Sequence, residues 1–125
     1  MRLVTDAQAM HASEITAAVE ESRQLSRFGE YRGAIELLEG VEQWCCYTTP
    51  LGSDALLELG MMYSASGRAA DASALFGRLM RSPVKRVRKV AEQMEFQKEA
   101  MAFLRVDERD SENEYAKLSQ LRGVY

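Results

Sequence analysis

Histidine and tryptophan each occur once in these 125 residues, and proline and cysteine twice each. Each scarcity closes off a class of function. His11 shares a helix face with Glu14, but a metal site needs about four ligands and no second imidazole exists to supply one. The same lack leaves every Ser and Cys without a plausible base for nucleophilic chemistry. Cys45 and Cys46 are adjacent. Neighbouring cysteines bridge only through a strained ring, which argues against a disulfide framework and for a reducing compartment. Charged residues interrupt every apolar segment, so no run approaches the roughly 20 residues that cross a bilayer. Residues Met1 to His11 lack the apolar centre and small-residue cleavage site of a secretory signal. There is no glycine-rich phosphate loop. Glu20, Glu21, Glu36, Glu39 and Glu42 are spread along helix surfaces as solvating charges, without apolar surroundings to shift them. The expectation is a chain with no catalytic residues, no metal and no cofactor.

What remains is a helix-forming mixture of Ala, Leu, Glu, Met and Arg, 46% hydrophobic with a net charge of -3. That charge excludes strong nonspecific attraction to nucleic acid from net charge alone. Apolar spacing predicts a first helix over Asp6 to Arg27 on Ala9, Ile15, Ala18, Val19, Ser22 and Leu25, with Thr5 as N-cap and Gln8 three positions on. Gly29 ends it. A second helix runs from Tyr31 to Cys46 with Ala34, Ile35, Leu37, Leu38 and Val41 inward. The Thr48 to Gly52 segment reads as a connector and Ser53 as the cap of a third helix over Asp54 to Ala65. A fourth spans Ala69 to Met80, burying Ala72, Leu75, Phe76 and Leu79. Ser82 and Pro83 are expected as N-cap and first residue of a fifth helix, Val84 to about Leu104. Its two apolar sides are Val87, Ala91, Met94 and Met101, and Phe96, Ala100 and Phe103. The polar stretch beyond, residues 107–125, is expected as a tail with a short helical turn near Tyr115 to Leu121.

Alignment on the glycines places Gly29, Ala34 and Leu38 on Gly67, Ala72 and Phe76, an offset of about 38 residues, near the period of helical repeats. In the second unit Leu56, Leu59, Gly60, Tyr63, Gly67, Ala72, Phe76 and Leu79 resemble the tetratricopeptide signature, with Leu56 in place of its tryptophan. The first unit is degenerate, since Glu21, Ser22 and Leu25 stand where the signature has Leu, Gly and Tyr. A narrower likeness covers residues 26 to 104. It consists of Gly29-Glu30-Tyr31-Arg32, Thr49-Pro50-Leu51-Gly52, Ala65-Ser66-Gly67-Arg68 and Arg88-Lys89-Val90-Ala91 with Glu99-Ala100, which together resemble tetratricopeptide-like proteins of cyanobacteria and chloroplasts. The resemblance implies an all-α fold of about five helices, in antiparallel hairpins stacked as a short right-handed solenoid. The expected domain is 1–106, with a degenerate repeat at about 15–48, a better one at about 53–86 and a capping helix at about 84–104. It also implies a scaffold or assembly role in a chloroplast, in the stroma or on the stromal face of the thylakoid, or in the cyanobacterial cytoplasm.

In tetratricopeptide domains the first helix of each repeat lines a concave groove. Carried onto matching positions, this gives Val19, Arg23 and Ser26 beside Leu57, Met61 and Ser64 as a surface for an extended peptide or partner helix. The alternative is that the fifth helix or the N-terminal segment folds over them and makes them core. A second candidate is the basic cluster of Arg78, Arg81, Lys85, Arg86, Arg88 and Lys89, where cations in the first turn of a helix oppose its dipole. An acidic partner, RNA or a lipid headgroup would compensate them; a solvated helix face is the other reading. Trp44 to Tyr47 read as packing beneath the connector, with an exposed partner contact as the alternative. The functional expectation is a non-catalytic protein-binding scaffold, a peripheral subunit or assembly factor of a larger complex such as a photosynthetic one. The competing expectation is an RNA-binding repeat module using the basic cluster.

Overall fold

A computed structural model describes residues 7–100, and among them every regular element is helical, with no strand. Four helices follow one another: α1 Ala12–Arg27, α2 Tyr31–Val41, α3 Pro50–Ala65 and α4 Ala69–Leu79, with a 3-10 turn Glu42–Trp44 after α2. Residues 7–10 are helical before α1, and residues 85–93 are helical after α4. Residues up to Gln93 form one compact unit; Met94 begins a second, of which residues 94–100 are described and helical. Met101, Phe103 and the tail named above lie outside the described residues.

The two hairpins repeat one another closely. Ala12 and Arg27 bound α1 as Pro50 and Ala65 bound α3, and Tyr31 and Val41 bound α2 as Ala69 and Leu79 bound α4, a constant step of 38 residues. The turns repeat in their glycine and in the bond that closes them. Gly29 and Gly67 both adopt positive φ, 75° and 86°, where a side chain would be strained. The residue after each glycine returns its amide to the carbonyl five back, Glu30 to Leu25 at 2.9 Å and Arg68 to Tyr63 at 2.8 Å.

Small residues then set how close the helices come. A Cβ built on Gly60 would meet Phe76 Cε1 at 2.8 Å, so the Phe76 ring lies directly on the α3 backbone. Its counterpart in the first hairpin, Ser22, is fully buried and turns its hydroxyl onto Val19 O at 2.7 Å, so it satisfies itself locally. Ala34 and Ala72 are buried at the matching positions of α2 and α4. Around these crossings lie Ile15, Leu38, Leu56, Leu59, Leu79 and Val87, each under 2% exposed. Each such side chain contributes about 1.5–3 kcal/mol relative to exposure. The third helix packs on α1, α2 and α4, so it is the centre of the unit.

Several helix limits differ from the expectation, each for a local reason. The first helix does not run unbroken from Asp6: residue 11 is a turn, and Ala9 is exposed. Thr5, the expected cap, lies outside the described residues, and Gln8 has another task. Its Oε1 accepts from Cys46 N at 2.9 Å and from Thr49 Oγ1 at 3.0 Å, tying the chain start to the connector. The second helix stops at Val41, and Cys45 is extended rather than helical. Leu37 is half-exposed, not inward. The third helix begins at Pro50, capped by Thr49 through Gly52 N, rather than at Asp54 capped by Ser53. Ser53 is instead fully buried inside the helix. Nor is Ser82 an N-cap with Pro83 as first residue. The amide of Arg88 bonds Val84 O at 3.0 Å, which makes Val84 the cap. Ser82 donates to Tyr47 O at 2.7 Å and accepts from Val84 N, bonding the two inter-helix segments together.

Two outcomes follow for stability. Ala72→Leu overpacks the α3–α4 crossing and costs about 1–3 kcal/mol, measured by urea unfolding. Gln8→Ala leaves the Cys46 amide without its acceptor, while Thr49 Oγ1 keeps Cys46 O at 3.1 Å, and costs about 1–3 kcal/mol in the same assay, a loss that a surface glutamine would not produce.

Candidate interaction surfaces

The six residues expected to line a groove divide into two groups. Val19 and Leu57 are 7% and 6% exposed, so they belong to the core and offer no surface to a partner. The other four stay accessible: Arg23 and Ser64 are exposed, and Ser26 and Met61 half-exposed. Arg23 Nε lies 3.0 Å from Glu58 Oε1, which joins α1 to α3 side by side. Ser26 Oγ donates to Arg23 O at 2.7 Å and so faces its own helix. The surface left is a short, largely polar strip beside Met61.

The basic cluster is half spent on internal partners. Arg86 pairs with Asp54 of α3, Arg88 Nη1 reaches Ser82 O at 3.4 Å, and the Arg78 guanidinium lies 5.8 Å from the centre of the Tyr47 ring. Asp54 is thus the anion that compensates a cation in the first turn of the last helix. Arg81, Lys85 and Lys89 are exposed and make no ion pair among the described residues.

The segment from Trp44 to Tyr47 is divided between core and surface. Cys45 is buried and donates from Sγ to Val41 O at 3.3 Å. Trp44 is half-buried and stacks on His11, ring centres 3.6 Å apart and planes within 7°. His11 in turn reaches Glu14 Oε1 at 3.1 Å. Both cysteines are free thiols.

The sequence did not point to a groove of about 440 Å³ between α1 and α2. Its floor is Ala18, Leu37, Val41 and Trp44, opened by the small Ala17 and Gly40. Glu14, Glu21 and Glu36 stand around it. The signal was available: Glu21 takes the place of Leu59, the same position one repeat later. Leu59 is 1% exposed, whereas Glu21 is exposed, so the first repeat departs from the signature at a position that faces solvent there. A smaller depression of about 320 Å³ holds Arg32, Ile35, Glu36, Glu39, Ser66 and Arg68. Arg68 covers the Tyr63 ring at 4.4 Å and bonds Asp71 at 2.9 Å.

Among the described residues there is no group of three or more His, Cys, Asp or Glu placed to hold a metal ion, and no helix long and apolar enough to cross a membrane. The arrangement is that of an all-helical pair of repeated hairpins with exposed grooves. Comparison with family models, with curated proteins and with solved structures finds no match to this chain.

Two buried acids give the unit a pH dependence. Burial, reinforced by Glu42, pushes the Cys45 thiol from 9.0 up to about 11. Burial, then Glu39 and Glu42, pushes the Tyr63 hydroxyl from 10.0 up to about 12, against the opposing charge of Arg68. Folding favours the neutral form of both, so their contribution is complete below the unfolded values and is lost as pH rises through the folded ones. The urea midpoint should therefore fall as pH rises from about 9 to 11, and Cys45→Ala should flatten the fall in that window.

Proposed function

We propose that the chain is a tetratricopeptide-like scaffold, its two hairpins stacked as the beginning of a solenoid, and that it works by holding another protein without catalysis. The observation that carries this reading is the constant 38-residue step between the bounds of α1 and α3 and of α2 and α4. The Arg23–Glu58 pair supports it by setting the first helices of the two repeats side by side, as a shared binding face requires. On that reading Arg23, Met61 and Ser64 meet the partner, and Val19 and Leu57 support them from the core. The protein partners would be subunits of a larger complex, with the chain as a peripheral subunit or assembly factor. The plastid or cyanobacterial setting rests on the sequence resemblance alone.

Binding of RNA through Arg81, Lys85 and Lys89 is the competing outcome of one experiment. The full chain is immobilised and exposed to a photosynthetic lysate at physiological salt. The scaffold reading expects a defined set of proteins, retained after nuclease treatment, lost from Met61→Glu and kept by the double variant Lys85→Glu, Lys89→Glu. Retention that nuclease abolishes and the lysine reversals remove would replace it with the RNA reading. No retained protein would overturn it.

A further inference from the structure

We infer that the groove between α1 and α2 is a docking site for a cationic amphipathic helix of a partner protein. The inference rests on the scaffold reading and gives it a second surface, distinct from the strip beside Met61.

The internal repeat shows what this face is built to do. Moving 38 residues along, Ala17, Ala18, Glu21 and Leu37 become Ala55, Leu56, Leu59 and Leu75, and all four of these are buried, at 5% exposure or less. The second hairpin closes these positions by packing within the fold. In the first hairpin Ala18 is buried as well, but the other three are open, with Ala17 and Glu21 exposed and Leu37 half-exposed. The groove therefore has the backbone geometry of a helix-packing face and is open among the described residues. Small residues at Ala17 and Gly40 leave depth for incoming side chains, and a Cβ built on Gly40 meets nothing within 4 Å. Apolar residues of a helix at steps of three and four fill such a channel.

Charge selects which helix. The residues that stand around the apolar floor are Glu14, Glu21 and Glu36, and among the described residues no lysine or arginine lines it. Glu14 contacts His11 at 3.1 Å and Glu36 contacts Arg32 at 3.7 Å. Both pairs lie at the surface, where such contacts are weak and readily exchanged for a partner's lysines. Glu21 has no ion pair among the described residues. The wider surroundings have the same sign: residues 7–60 contain nine Asp and Glu against three Arg. A helix with an apolar stripe flanked by Lys or Arg satisfies both the floor and the rim, whereas an acidic helix is repelled by three carboxylates. Nucleic acid is repelled by the same three.

Trp44 makes the site directly observable, because it lines the groove and is the only tryptophan of the chain. The full chain is titrated with a synthetic helical peptide of about four turns, leucines along one face and lysines beside them, while Trp44 emission is followed. A second peptide replaces every lysine by glutamate. Saturable change with the lysine peptide is expected, weakening at least about tenfold between low and high salt as screening sets in. The glutamate peptide should give none. In the double variant Glu21→Lys, Glu36→Lys the preference should invert, with circular dichroism verifying that both exposed substitutions leave the fold intact. Absence of a saturable response, equal response to the two peptides, or survival of lysine-peptide binding in the reversed variant each overturns the site. A Trp44 shift that grows with protein concentration alone, accompanied by faster sedimentation, would assign the groove to a second copy and overturn the partner helix. Failure here leaves lysate retention through Met61 untouched, so the two readings fail separately.

Discussion

The fold depends on how nearly the helix backbones of each hairpin touch. Gly60 allows the Phe76 ring onto the backbone of α3, and Ala72 offers no bulk to push the helices apart. In the first hairpin Ser22 and Ala34 hold the same places, and the serine is admissible because its hydroxyl bonds within its own turn. With that separation Leu38, Leu56, Leu59 and Leu79 are sealed from solvent between the helices, and α3 touches all three other helices.

Polar ties act where apolar packing does not reach. The connector after α2 is irregular, and its backbone groups need partners from elsewhere. Gln8 supplies an acceptor to Cys46 N, and Ser82 supplies a donor to Tyr47 O, so residues far apart in sequence hold one loop from two sides. Arg86 and Asp54 add a charged contact from the last helix to α3. These are long-range contacts of single side chains, and they tie residues 7–10, α3 and the segment leading into the last helix to the same connector.

The first repeat differs from the second for a reason of position. A leucine at the place of Glu21 would be an exposed apolar residue on a face that no described residue closes, whereas Leu59 is sealed. Departure from the repeat signature is therefore information about which face is open, and the glutamates mark it as acidic.

Local chemistry determined much from the residues alone. The all-helical class, the two hairpins, the breaks at Gly29 and Gly67 and the buried Ala34, Ala72, Phe76 and Leu79 could be read because periodicity and left-handed glycine are short-range properties. Helix ends were less legible, since the segments around Thr49 and Val84 are held by distant partners, Gln8 accepting from the Thr49 hydroxyl and Ser82 donating to Tyr47 O. The candidate surfaces were legible only in part. Whether Val19 and Leu57 meet solvent, whether Arg86 has a partner and whether Ala17, Leu37 and Trp44 line one groove depend on which helices come to lie beside one another. That is decided by side chains from separate elements competing for the same space, and no pattern within a single helix contains it.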